Sequence, residues 1–111
     1  MNKELREKCI ALTKYNTFDN IQVLVIEELS ELIQVIAKLR RWEQDDLSLR
    51  KKSVEIALDL LEEVADVYIA LEQLNYITCN TDEALNRVIK QKLNRTYGVL
   101  GIKEEKEWKA I

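Results

Sequence analysis

The stretch Ile56-Ala-Leu-Asp-Leu-Leu-Glu-Glu-Val-Ala-Asp-Val-Tyr-Ile-Ala-Leu71 is apolar on almost every side of a helical wheel and contains neither glycine nor proline. The whole chain has no proline and only two glycines, Gly98 and Gly101, both near its C-terminal end. A β-rich fold needs far more turn residues than this, so the reading is all-α, with long helices. The quoted run predicts a helix from about residue 47 to residue 74. A helix this apolar needs more cover than a chain of 111 residues supplies. It therefore predicts packing against a second subunit as well as against its own chain.

Three further helices follow from the flanking sequence. The first spans roughly residues 3–15, with Leu5, Cys9 and Leu12 on one face, and Asn16-Thr-Phe-Asp-Asn20 interrupts it. Asp19 and Gln22 have the spacing of a capping box, which opens a second helix running to about Trp42. Its apolar residues recur at 21, 25, 29, 32, 36 and 39. The polar segment Glu43-Gln-Asp-Asp-Leu-Ser48 reads as a turn, and Asn75 to Asn80 as another break. Asn80 and Glu83 are spaced to cap a last helix from about Asp82 to Tyr97, with Gly98 as its stop and 98–111 as a tail. The expected architecture is one domain over 1–111, a bundle of about four helices completed by oligomerisation.

Composition narrows the chemistry. A 47% apolar fraction excludes a disordered chain, and a 33% charged fraction suits a solvated surface. A net charge of −3 argues against general nucleic-acid binding. Cys9 and Cys79 fit no metal or redox spacing, and two isolated thiols indicate a reducing, cytoplasmic setting. No apolar run approaches the ~20 residues that span a bilayer, and the charged start Met1-Asn-Lys-Glu4 is unlike a signal peptide. There is no histidine. That removes Ser/His/Asp triads, Cys/His dyads, histidine zinc sites and Glu-x-x-His di-iron bundles together.

What remains is acidic. On the second helix, with Val25 at the origin of the wheel, Glu28 falls at about 300°, inside the apolar arc. On the same wheel Glu31 lies at its edge, at about 240°, and Glu27 further out, at about 200°. A carboxylate inside an apolar stripe is unfavourable unless it meets a cation or a proton, and the nearest lysine, Lys38, is two turns beyond Glu31. The third helix repeats the pattern. Asp59, Glu63 and Asp66 share a narrow sector, with Glu62 beside it. From Ser53 to Asn86 there is no lysine or arginine, against eight acidic residues. A face built for solubility mixes signs, because like charges one turn apart repel. Packed antiparallel, the pairs Glu28/Glu31 and Glu63/Asp66 would surround one or two hard cations, and oxygen-only ligands select magnesium or manganese. The plainer alternatives are a solvated acidic face, and for Glu28 an ion pair with a distant lysine or arginine.

The basic residues form separate clusters. Lys38, Arg40 and Arg41 end the second helix, where cations complement the helix dipole. Arg50, Lys51 and Lys52 precede the acidic stretch. Arg87, Lys90, Lys92 and Arg95 lie on the last helix, where Lys92 and Arg95, one turn apart, are suited to phosphate oxygens or simply to solvent. Trp42 and Tyr97 are candidates for stacking on a base or for ordinary packing.

The order Glu27-Glu28-Leu-Ser-Glu31 followed by Glu63-Val-Ala-Asp66, with a basic Lys92-Leu-Asn94-Arg95, resembles the MazG-type all-α nucleoside triphosphate pyrophosphohydrolases over roughly residues 20–97. The resemblance implies magnesium, with manganese as a substitute, held by Glu28, Glu31, Glu63 and Asp66. It places Glu27 in or beside that shell, and implies Lys92, Asn94 and Arg95 as holders of the triphosphate. The catalytic carboxylates would be Glu27 and Glu28. The implied reaction is hydrolysis of a nucleoside triphosphate to monophosphate and pyrophosphate; the apolar third helix, the net charge and the absence of a spanning run add the expectation of a homo-oligomer without nucleic-acid or membrane partners. The competing expectation, from the apolar third helix, is a non-catalytic module that dimerises or binds a partner helix.

Overall fold

In the computed structural model, residues 1–44 and 53–103 are described. The fold is all-α, with no strand among these residues. Helix α1 covers Lys3–Leu12 and is followed by a single 3₁₀ turn, Thr13–Tyr15. Helix α2 covers Phe18–Gln44, α3 covers Ser53–Ile77 and α4 covers Asp82–Leu100. The turn expected between Glu43 and Ser48, and the basic triplet Arg50-Lys51-Lys52, lie outside the described residues except for the end of α2. The chain forms two compact units, Met1–Thr78 with α1 to α3, and Cys79–Ile111 with α4.

In the first unit α2 packs along α3, and α1 lies against α3. The buried side chains are Ile21, Val25 and Val35 of α2, Val67, Ala70 and Gln73 of α3, and Cys9 of α1. Ile21 and Val25 of the expected apolar repeat are buried, but its members Leu29 and Ile36 are exposed and Val35, outside the repeat, is buried instead, because the inner face of α2 is rotated toward the Val35 side of the wheel. Two polar ties supplement this apolar seam. Arg6 Nε lies 3.2 Å from a carboxylate oxygen of Glu72, joining α1 to α3. The side-chain amide of Asn16, just before α2, donates to Oε1 of Gln73 near the end of α3 at 3.2 Å. Because the start of α2 meets the end of α3, the two helices run antiparallel.

The helix ends depart from expectation in instructive ways. Helix α2 begins one residue before Asp19, and its cap is Thr17, whose hydroxyl accepts from the Asn20 amide at 3.1 Å. The Asp19/Gln22 box does not form; Gln22 instead donates to the Phe18 carbonyl. Helix α3 continues through Asn75 to Ile77, because its apolar pattern outweighs one asparagine. Thr81, not Asn80, caps α4, accepting from the Ala84 amide at 3.2 Å. Gly98 is interior to α4, and the helix ends at Gly101, whose φ of +70° is the left-handed conformation that closes a helix. The Ile102 amide then reaches back to the Tyr97 carbonyl at 2.9 Å, so Val99 and Leu100 belong to the helix rather than to a tail.

Many apolar side chains of the long helices face outward. Ile26 and Ile33 of α2 and Leu61 of α3 are each about two-thirds exposed, and Val54 and Leu58 join them. Among the described residues, no helix is long and apolar enough to cross a membrane.

Candidate metal centre

Two short acidic spacings meet across the α2–α3 seam. Glu28 and Glu31 are one turn apart on α2, and Glu63 and Asp66 are one turn apart on α3. Each contributes a carboxylate oxygen to a group in which all four atoms lie within 4.8 Å of one another. Glu28 and Glu63 are half-buried, at the inner edge, and Glu31 and Asp66 are exposed, at the outer edge. The arrangement follows from the wheel positions: the residues nearest the apolar arc sink toward the seam and their neighbours rim it.

The electrostatics are unfavourable without a cation. Oε2 of Glu28 and Oε2 of Glu63 are enclosed and accept no hydrogen bond. Among the described residues no lysine or arginine pairs with any of the four. Burial is the largest influence raising the Glu28 carboxyl above its ordinary range; the charges of Glu31, Asp66 and Glu63 and a hydrogen bond with Glu31 add to it. Glu63 is raised in the same way, by burial first, then by Glu31 through charge and hydrogen bond, then by Asp66 and Glu62. A charged group that loses water and gains like-charged neighbours becomes harder to ionise. Among the described residues the distant-cation alternative for Glu28 finds no partner.

The donor set fits a hard divalent ion. It is all oxygen, drawn from two helices, and includes two enclosed oxygens with nothing to accept from. Glu27, exposed on α2, is outside the group, as are Asp59 and Glu62, both exposed on α3. Asp59 shares the sector of Glu63 but lies one turn away from the level at which α2 presents its pair.

In the second unit, Lys92, Asn94 and Arg95 are all exposed on α4. Arg87 is engaged with Glu83, 3.8 Å away and one turn earlier. Lys38, Arg40 and Arg41 are exposed near the end of α2, and Trp42 and Tyr97 are half-buried. The sequence reading missed Gln73, which is 1% exposed and the only polar residue among the buried side chains described. Its one available signal was a lone amide inside the run Ala70-Leu-Glu-Gln-Leu74.

No protein-family model, no curated protein and no solved structure matches this chain.

Proposed function

We propose that the chain is a magnesium-dependent nucleoside triphosphate pyrophosphohydrolase whose metal is held by Glu28, Glu31, Glu63 and Asp66. One observation carries the reading: four carboxylates from two helices converge within 4.8 Å, two of them with enclosed oxygens that accept no hydrogen bond. The order of these acids, together with Lys92-Leu-Asn94-Arg95, resembles the MazG-type enzymes, and that resemblance supplies the reaction class.

Bound magnesium, or manganese in its place, supplies charge neutralisation for phosphate oxygens and acidifies water. The residues of the chain do the rest. Glu28 and Glu63 hold the inner side of the centre, away from bulk water. Glu31 and Asp66 complete it at the exposed side, where a substrate arrives. Glu27, one residue from Glu28 and open to solvent, accepts the proton of the attacking water. The water oxygen bonds to the α-phosphorus, and the α–β bond breaks toward the leaving pyrophosphate. By the resemblance to the MazG-type enzymes, Lys92, Asn94 and Arg95 would be the residues that hold the triphosphate. Glu28→Gln and Asp66→Asn each abolish pyrophosphate release in a panel of nucleoside triphosphates while circular dichroism stays helical. Wild-type turnover in either variant refutes the mechanism.

A second reading has its own observation. The outward apolar residues Ile26, Ile33, Leu58 and Leu61 suit a helical module that dimerises, or the homo-oligomer of the enzyme itself. A thermal midpoint unmoved by millimolar magnesium favours the module without catalysis; a rise favours the enzyme.

A further inference from the structure

We propose that the hydrogen bond between buried Gln73 and Asn16 is a clasp that fixes the register of α2 on α3 and so positions the four carboxylates; the inference rests on the metal reading above. Gln73 is, with Ile21, one of the two large side chains fully enclosed in the described structure. Its Oε1 accepts from the Asn16 amide at 3.2 Å, and its Nε2 donates to the Ile69 carbonyl at 3.3 Å. The other buried residues of α2 and α3 are Ile21, Val25, Val35, Val67 and Ala70, all aliphatic.

Aliphatic seams are permissive. Side chains of similar size bury similar area if one helix slides by a turn, about 5.4 Å, along the other. The carboxylate centre is not permissive, since that slide exceeds the 4.8 Å within which its four oxygens gather. Nor does the metal-free centre select its own register, because its members repel one another. A directional bond is needed. Asn16 lies two residues before Phe18 with an extended backbone, so its bond to Gln73 ties the start of α2 to α3. A slide would strand the buried Gln73 amide without that partner among aliphatic side chains. Single buried polar residues set register in coiled coils by the same logic.

Gln73 stands seven residues from Asp66, two turns or about 10 Å along α3, and touches no ligand. It is a positioning residue. The Arg6–Glu72 pair does not duplicate it, since that pair joins α1 to α3.

The test uses Q73M, which keeps length without polarity, N16A, and the double variant. Manganese binding is read by electron paramagnetic resonance, and thermal midpoints are taken in EDTA. Both single variants weaken manganese binding about 10-fold or more, the size typical of outer-shell losses. The double variant is no weaker than Q73M, and the EDTA midpoint of Q73M is unchanged or raised. If wild type binds manganese and both single variants bind within about twofold of it, the clasp is overturned while the metal centre stands. Should Q73M fail to fold, N16A decides alone, because Asn16 is exposed and outside the helices. If wild type itself takes up no manganese, the metal reading falls and the clasp falls with it.

Discussion

Replacing Glu28 with glutamine changes the charge of the centre while keeping the shape of the side chain, and its effect reverses sign with metal. Three like charges act on Glu28, those of Glu31, Asp66 and Glu63, in addition to its burial. At partly exposed positions each repulsion is worth a few tenths of a kcal/mol, so three amount to about 1 kcal/mol. A glutamine at 28 removes them and offers an amide that donates to a neighbouring carboxylate. Without metal, the variant is therefore more stable than wild type by about 1 kcal/mol, a rise of about 4 °C in midpoint for a chain of this size. With magnesium at about 100 times its dissociation constant, wild type gains about 2.7 kcal/mol, and the variant loses most of that gain. The assay is a pair of thermal melts at neutral pH, in EDTA and in saturating magnesium chloride. The variant is the more stable protein in the first and the less stable in the second. A lower midpoint in EDTA combined with a wild-type magnesium shift refutes the reasoning, because it makes the carboxylate a favourable structural contact.

The raised carboxyls of Glu28 and Glu63 also set a pH dependence. Folding holds their protons above the ordinary value of 4.5, so the stability they contribute is fully present below that pH and is lost as pH rises through the raised values. Melts in EDTA across this range give a falling midpoint for wild type and a shallower fall for E28Q; parallel curves contradict the assignment. Ile21, fully buried in the α2–α3 seam, is a core test: Ile21→Ala lowers unfolding free energy by about 3 kcal/mol in urea titration. Thr81→Ala removes the α4 cap and weakens that helix by about 1 kcal/mol, read as faster amide exchange in its first turn with α2 unaffected.

Much of the first unit was legible because helix period and chain chemistry agree. The apolar recurrence from Ile21 to Leu39 identifies part of the buried face of α2, Ile21 and Val25, while its Leu29 and Ile36 are exposed; it puts Glu28 inside the apolar arc, and the structure leaves Glu28 half-buried. The helix ends were less legible. Asp19, Asn75 and Gly98 carry boundary chemistry, yet Thr17, Ile77 and Gly101 are the residues at the boundaries. A capping side chain acts only where the neighbouring backbone leaves an amide free, and a glycine matters only where φ turns positive.

What the amino-acid order determined by itself is which carboxylates share a helical face: Glu28 with Glu31, and Glu63 with Asp66, each one turn apart in a chain without histidine. What tertiary structure alone decided is that these two pairs meet at the same level, with Asp59, Glu62 and Glu27 left outside. It also decided that the solitary Gln73 lies in the seam, bonded to Asn16. Spacing along one helix is a local property, set by 3.6 residues per turn. The level at which two helices meet depends on how their side chains interlock and on the few directional bonds between them, and only the folded seam holds that information.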